Sequence, residues 1–166
     1  NRLNWPARMQ AIKLDSGHKF LLDAAHNPSG LAKVKQQLVD LSKHDNSEDK
    51  LCLLFGTSPQ QELTKMLENV KEICDEFSNV EIFLTKPTGG RYPPIEPKIL
   101  AGYEWGDITV SIWQNYTHAI DAILARSPAS VGNILSIGSL YLQGNILNYL
   151  GKNTDDDLSL LPKQSN

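Results

Sequence analysis

The sequence has no GxxxxGK[ST] phosphate loop and no GxGxxG, so it is neither a self-contained NTPase nor a standard dinucleotide binder. Its four histidines fall at no metal-binding spacing, HExxH included, and no GxSxG turn offers an activated serine. Only two cysteines occur, Cys52 in an apolar run and Cys74 on a helical stripe, and both read as small core side chains in a reducing compartment. No apolar stretch is long enough to span a bilayer and the start lacks the form of a signal peptide, which predicts a soluble, intracellular protein. A net charge of -3 provides no broad basic face, so nucleic acid and anionic membrane are not expected as partners. An anionic ligand has to be met locally.

What is present is ordinary for a globular chain: 166 residues, 40% hydrophobic and 21% charged, enough for one domain with a real core. The domain is expected over residues 1–150, followed by a polar tail, 151–166, in which Asp155, Asp156 and Asp157 read as a solvated charge run. The chain opens on Asn1 rather than methionine and is expected to be a piece of a longer polypeptide.

Apolar runs of strand length recur at 9–14, 19–25, 51–55, 80–84, 108–113 and 133–137, with helical periods between most of them. That alternation predicts an α/β fold: a Rossmann-like, mainly parallel six-stranded sheet with helices on both faces. Residues 15–18 leave room only for a hairpin between the first two runs, which makes the outer strand an antiparallel edge. Leu63, Met66, Leu67, Val70, Ile73, Cys74 and Phe77 stand three and four apart and predict a helix over 59–77, with Ser58 as cap, Pro59 first and Gln61 completing a capping box. Leu31, Val34 and Leu38 predict another, started by Asn27 and Pro28. Two more follow from Ala119, Ile120, Ile123 and Leu124, and from Leu142, Ile146, Leu147 and Leu150. The Pro- and Gly-rich segment 86–106 is expected to loop around a short helix at 97–103.

In open α/β sheets, ligands collect beyond the carboxyl ends of the strands, where helix starts offer unpaired N–H groups. The stretch LDAAHNPSG places Asp23, His26 and Asn27 at such an end. Asn27 can simply cap and His26 can be a satisfied loop histidine, but an aspartate at the end of a buried strand needs a partner, and a ligand hydroxyl pair or a cation would serve. Ser139, after Gly138, is either a plain helix cap or an anion seat. Arg8 follows Trp5 and Pro6, and can lie over Trp5 or clamp a phosphate; Arg91, in the Pro/Gly-rich loop, is open to the same two readings.

WPAR (Trp5–Arg8), LDAAHNPSG (Leu22–Gly30), LLFGTS (Leu53–Ser58) and GSLYLQGNIL (Gly138–Leu147) together resemble, in order and spacing, the C-terminal domain of the dihydrofolate synthase and folylpolyglutamate synthase family, relatives of the Mur ligases. The family's usual WPGR and LDGAHNP have glycine where this chain has Ala7 and Ala24. The resemblance implies ATP-driven amide formation, in which a pteroate carboxylate becomes an acyl phosphate that the amine of L-glutamate attacks. It implies that ATP and Mg2+ are held mainly by an N-terminal P-loop domain outside this chain, so that the isolated domain is inactive and supplies no catalytic or metal-binding residue. It gives Arg8 to ATP phosphate, Asp23 to the ribose, and His26 with Ser139 to the incoming glutamate. Asn27 after the histidine resembles dihydrofolate synthases, with dihydropteroate as acceptor; the alternatives are a folylpolyglutamate synthase acting on tetrahydrofolate, a Mur-type peptide ligase, or a non-catalytic binding domain of the same fold. The implied compartment is the cytoplasm, with the mitochondrion as alternative.

Overall fold

The computed structural model describes residues 7–42 and 49–152. The expected stem of Arg8 over Trp5, and the polar tail from residue 153 onward, lie outside the described residues. Six strands form one sheet: β1 (Gln10–Lys13), β2 (Lys19–Leu22), β3 (Lys50–Phe55), β4 (Asn79–Leu84), β5 (Thr109–Ile112) and β6 (Asn133–Ile137), in the spatial order β1-β2-β6-β3-β4-β5. All neighbours are parallel except β1 and β2, which pair antiparallel with Gln10 opposite Leu22 and Lys13 opposite Lys19. The hairpin and the antiparallel edge are as the sequence predicts.

Position in the sheet explains the strand sequences. Central β3 and β6 are buried almost throughout, so KLCLLF and NILSI read as continuous apolar runs, whereas edge strands β1 and β5 are largely exposed and polar. Successive side chains alternate between the two faces. Leu51, Leu53 and Phe55 join Leu135, Ile137, Ile82 and Leu84 under helices α1 (Pro28–Ser42), α2 (Leu63–Cys74) and α3 (Pro97–Ala101). Cys52 and Leu54 join Phe20, Leu22, Phe83 and Ile134 under α4 (Tyr116–Leu124), α5 (Pro128–Val131) and α6 (Leu140–Tyr149). The result is three layers with a core on each side of the sheet.

Helix α2 starts later than the stripe rule predicts. Its cap is Glu62, which makes no side-chain capping bond, and neither Ser58 nor Gln61 forms a capping box. The chain leaving β3 is committed elsewhere: Thr57 accepts from the Ile95 N–H (3.0 Å) and its hydroxyl donates to the Ser58 carbonyl (3.3 Å). Pro59 is exposed and residues 60–62 are polar, so the helix forms only where Leu63, Met66 and Leu67 can dock. At its other end Glu76 and Phe77 bond back three residues (3.2 and 3.0 Å), tightening the last turn that the sequence reads as regular helix. The short helix likewise ends at Ala101 instead of 103, and α5 is an element the sequence reading did not foresee.

Candidate functional site

Beyond Leu22 the β2 chain stays in register for one more step, with the Asp23 N–H on the Ser136 carbonyl (3.0 Å). The Asp23 carboxylate is buried and both of its oxygens are engaged: Oδ1 accepts from the Ala25 N–H (2.8 Å) and Oδ2 from the Met9 N–H (2.9 Å). Burial lifts its carboxyl above the ordinary range, and the N–H groups of Ala25 and Met9 and the charge of Arg8 pull it back only in part.

These bonds fix the segment that carries Arg8. Ala7 and Met9, on either side, sit in the left-handed region (φ 58° and 44°), where non-glycine residues are uncommon. Each is tethered: the Ala7 N–H donates to Gln10 Oε1 (2.9 Å), the Ala24 N–H donates to the Ala7 carbonyl (2.6 Å), and Met9 is bound by Asp23. A strained backbone held from several sides presents one side chain in one place. The glycine of the resembling WPGR pattern is the residue best suited to the φ that Ala7 adopts.

Arg8, Asp23 and His26 line a single cavity of about 330 Å3, which α1 also lines through Ser29, Lys33 and Gln37. Asn27 starts that helix as expected: its Oδ1 accepts from the Gly30 N–H (2.8 Å) and the Ser29 hydroxyl (3.1 Å), with Pro28 first in the helix. Asn69 of α2 holds the same turn through the Pro28 carbonyl (3.1 Å). His26 is exposed, and its Nδ1 lies 2.9 Å from the Ala24 carbonyl, which requires the proton on Nδ1 and leaves Nε2 as the acceptor in the neutral ring.

Ser139 stands next to this cavity without lining it. The Gly138 N–H donates to the Ala25 carbonyl (2.8 Å), so Ser139 and His26 each follow directly after a hydrogen-bonded pair. The Ser139 side chain is buried and caps α6, accepting from the N–H groups of Tyr141 (3.1 Å) and Leu142 (3.3 Å). Gly138 has φ 110°, and a Cβ there would lie 2.4 Å from the Gly56 carbonyl oxygen, so only glycine fits where β6 turns into α6.

Arg91 is exposed, stacks over Tyr92 at 5.6 Å and does not reach the cavity. Its loop is docked on α6, where Asn145 accepts from the Thr88 N–H (2.9 Å) and donates to the Thr88 carbonyl (3.2 Å). The cavity residues that sequence reasoning missed are Ser29, Lys33 and Gln37. Their signal was available, since polar residues at i, i+4 and i+8 share one helix face. Among the described residues no three His, Cys, Asp or Glu side chains converge, and no helix is long and apolar enough to cross a membrane.

The sequence matches no family model and no curated protein. Solved structures do match. The bifunctional folylpolyglutamate synthase/dihydrofolate synthase from Yersinia pestis superposes with a TM-score of 0.66 at 14% identity, over 91% of this chain and 32% of that one. E. coli FolC in complex with DHPP and ADP gives 0.67 at 17% over 88% and 31%, and Mycobacterium tuberculosis folylpolyglutamate synthase complexed with ADP gives 0.63 at 21% over 90% and 33%. The chain has their fold. It spans about a third of the length of these structures.

Proposed function

We propose that this chain is the C-terminal domain of an ATP-dependent ligase that joins L-glutamate to dihydropteroate through an acyl phosphate, with tetrahydrofolate as the alternative acceptor. The observation that carries this is the convergence of Arg8, Asp23 and His26 on one cavity at the strand ends, on a fold shared with ligases solved with ADP. In this reading Arg8 forks onto nucleotide phosphate, as a guanidinium does bidentately. Both Asp23 oxygens keep a second lone pair for ribose hydroxyls while they hold Met9 and Ala25. His26 offers Nε2 to the glutamate amine, and Ser139, whose oxygen accepts two N–H bonds, retains its O–H proton to donate to a glutamate carboxylate. Magnesium and the phosphate loop belong to a preceding domain, and closure of the two lobes would exclude water from the activated acyl group.

The test is phosphate release by the full-length enzyme with ATP and glutamate, offered dihydropteroate and tetrahydrofolate in competition. Glutamate-dependent turnover that favours dihydropteroate is the expected result, and release that ignores both acceptors defeats the reading. His26→Ala should raise the KM for glutamate by about tenfold, more than that for ATP. Equal effects on both remove the glutamate assignment.

A further inference from the structure

The α1 wall of the cavity is longer than the reading above uses. Ser29, Lys33 and Gln37 recur every four residues and all line it. Eight residues of helix extend about 12 Å, so the concavity continues two turns past the helix start. The two lysines near this point differ in their surroundings. Lys35 turns to α2 and pairs with Glu72 (3.4 Å) and Glu76 (3.7 Å), whereas Lys33 has no ion-pair or hydrogen-bond partner among the described residues. Arg8, on the segment entering β1, lines the same cavity, and the one carboxylate among the lining residues, that of Asp23, already accepts two backbone donors. Lys33, with no acid paired to it among the described residues, gives the α1 side of the cavity a positive potential that favours an anion. A lone carboxylate is matched by one guanidinium. Cations carried by two different elements of one cavity match a group with several charged oxygens, one read by a planar fork and the other by an adaptable ammonium.

We propose that Lys33 binds the phosphate chain of a nucleoside di- or triphosphate from α1, in the cavity that Arg8 also lines. This rests on the nucleotide reading of the cavity given above. The test is calorimetric titration of ADP into the full-length protein and its Lys33→Ala, Lys33→Arg and Arg8→Ala variants. Alanine is the best helix former, so the exposed mid-helix replacement leaves α1 intact. Lys33→Ala should weaken ADP binding by about fivefold to tenfold at ~0.1 M salt and by less than about twofold at ~1 M, because an exposed charge contact is screened and a packing defect is not. Lys33→Arg should stay within about threefold of wild type, the charge being kept. An unchanged affinity for Lys33→Ala, or a loss that persists at high salt, overturns the proposal. If Arg8→Ala weakens ADP while Lys33→Ala does not, only the Lys33 assignment falls; if neither variant has an effect, the nucleotide reading of the cavity falls with it.

Discussion

Asp23→Ala removes one acceptor group from two backbone donors, the N–H of Met9 at 2.9 Å and of Ala25 at 2.8 Å. An unpaired buried donor costs about 1–3 kcal/mol, and with Asp23 8% exposed water can reach part of the site, which favours the lower half of that range for each. Release of Met9 from φ 44° returns about 1 kcal/mol of backbone strain. The net expected loss is about 2 kcal/mol, seen in urea unfolding as a midpoint lowered by about 1 M with an unchanged slope. Asp23→Asn should recover one bond at most, since its amide nitrogen meets the second donor with another donor. A loss below about 0.5 kcal/mol for Asp23→Ala would refute the view that this carboxylate holds the Arg8 segment in place. Acidity supplies a second arm. Because burial lifts the carboxyl above its ordinary 3.8, the folded chain keeps a proton at pH values where the unfolded chain has lost it. The stability this carries is complete below the unfolded value and fades as pH rises through the folded one, so the wild type should gain on Asp23→Asn as pH falls toward about 4. A salt-bridged aspartate with a depressed value would show the opposite trend.

Ser139→Ala should cost about 1–2 kcal/mol, because the N–H groups of Tyr141 and Leu142 lose their acceptor, and thermal or urea unfolding would register it. A variant as stable as wild type would mean that the serine does not secure the helix. Both cysteine thiols, Cys52 and Cys74, are pushed by burial up to about 12, so a thiol reagent at pH 8 should leave the folded protein unmodified and label two sites per chain in urea. Native labelling at the unfolded rate would contradict their burial.

The parts of the fold legible in the sequence were those set by burial pattern. All six strands fall within two or three residues of the apolar runs, most closely β3 and β6, because a strand buried on both faces has little alternative to Leu, Ile, Val, Phe and Cys. Local turn grammar was less dependable. Ser58–Pro59 has the form of a helix start yet stays outside the helix, beside the bond between Thr57 and Ile95, while Ser127–Pro128, with the same form, does open α5 through a bond from the Ser130 N–H to the Ser127 hydroxyl (3.3 Å). Tertiary contacts decided between them. In the site, Arg8, Asp23 and His26 could be marked by residue type and position, but their meeting depends on a register that no local window contains. Neither could the sequence divide Lys33 from Lys35; α2 and the turn after it do that, by offering Glu72 and Glu76 to one of them.

One reversed strand has an effect out of proportion to its length. Had β1 run with its neighbours, the residue entering it would have emerged at the amino end of the sheet, some 13 Å away by the rise of four extended residues, and Arg8 would have faced the wrong way. Turning that strand around lets the chain begin and finish the hairpin at the same level, so that two residues 15 apart in sequence, Arg8 and Asp23, line one cavity while the turn that joins their strands sits at the hairpin's other end.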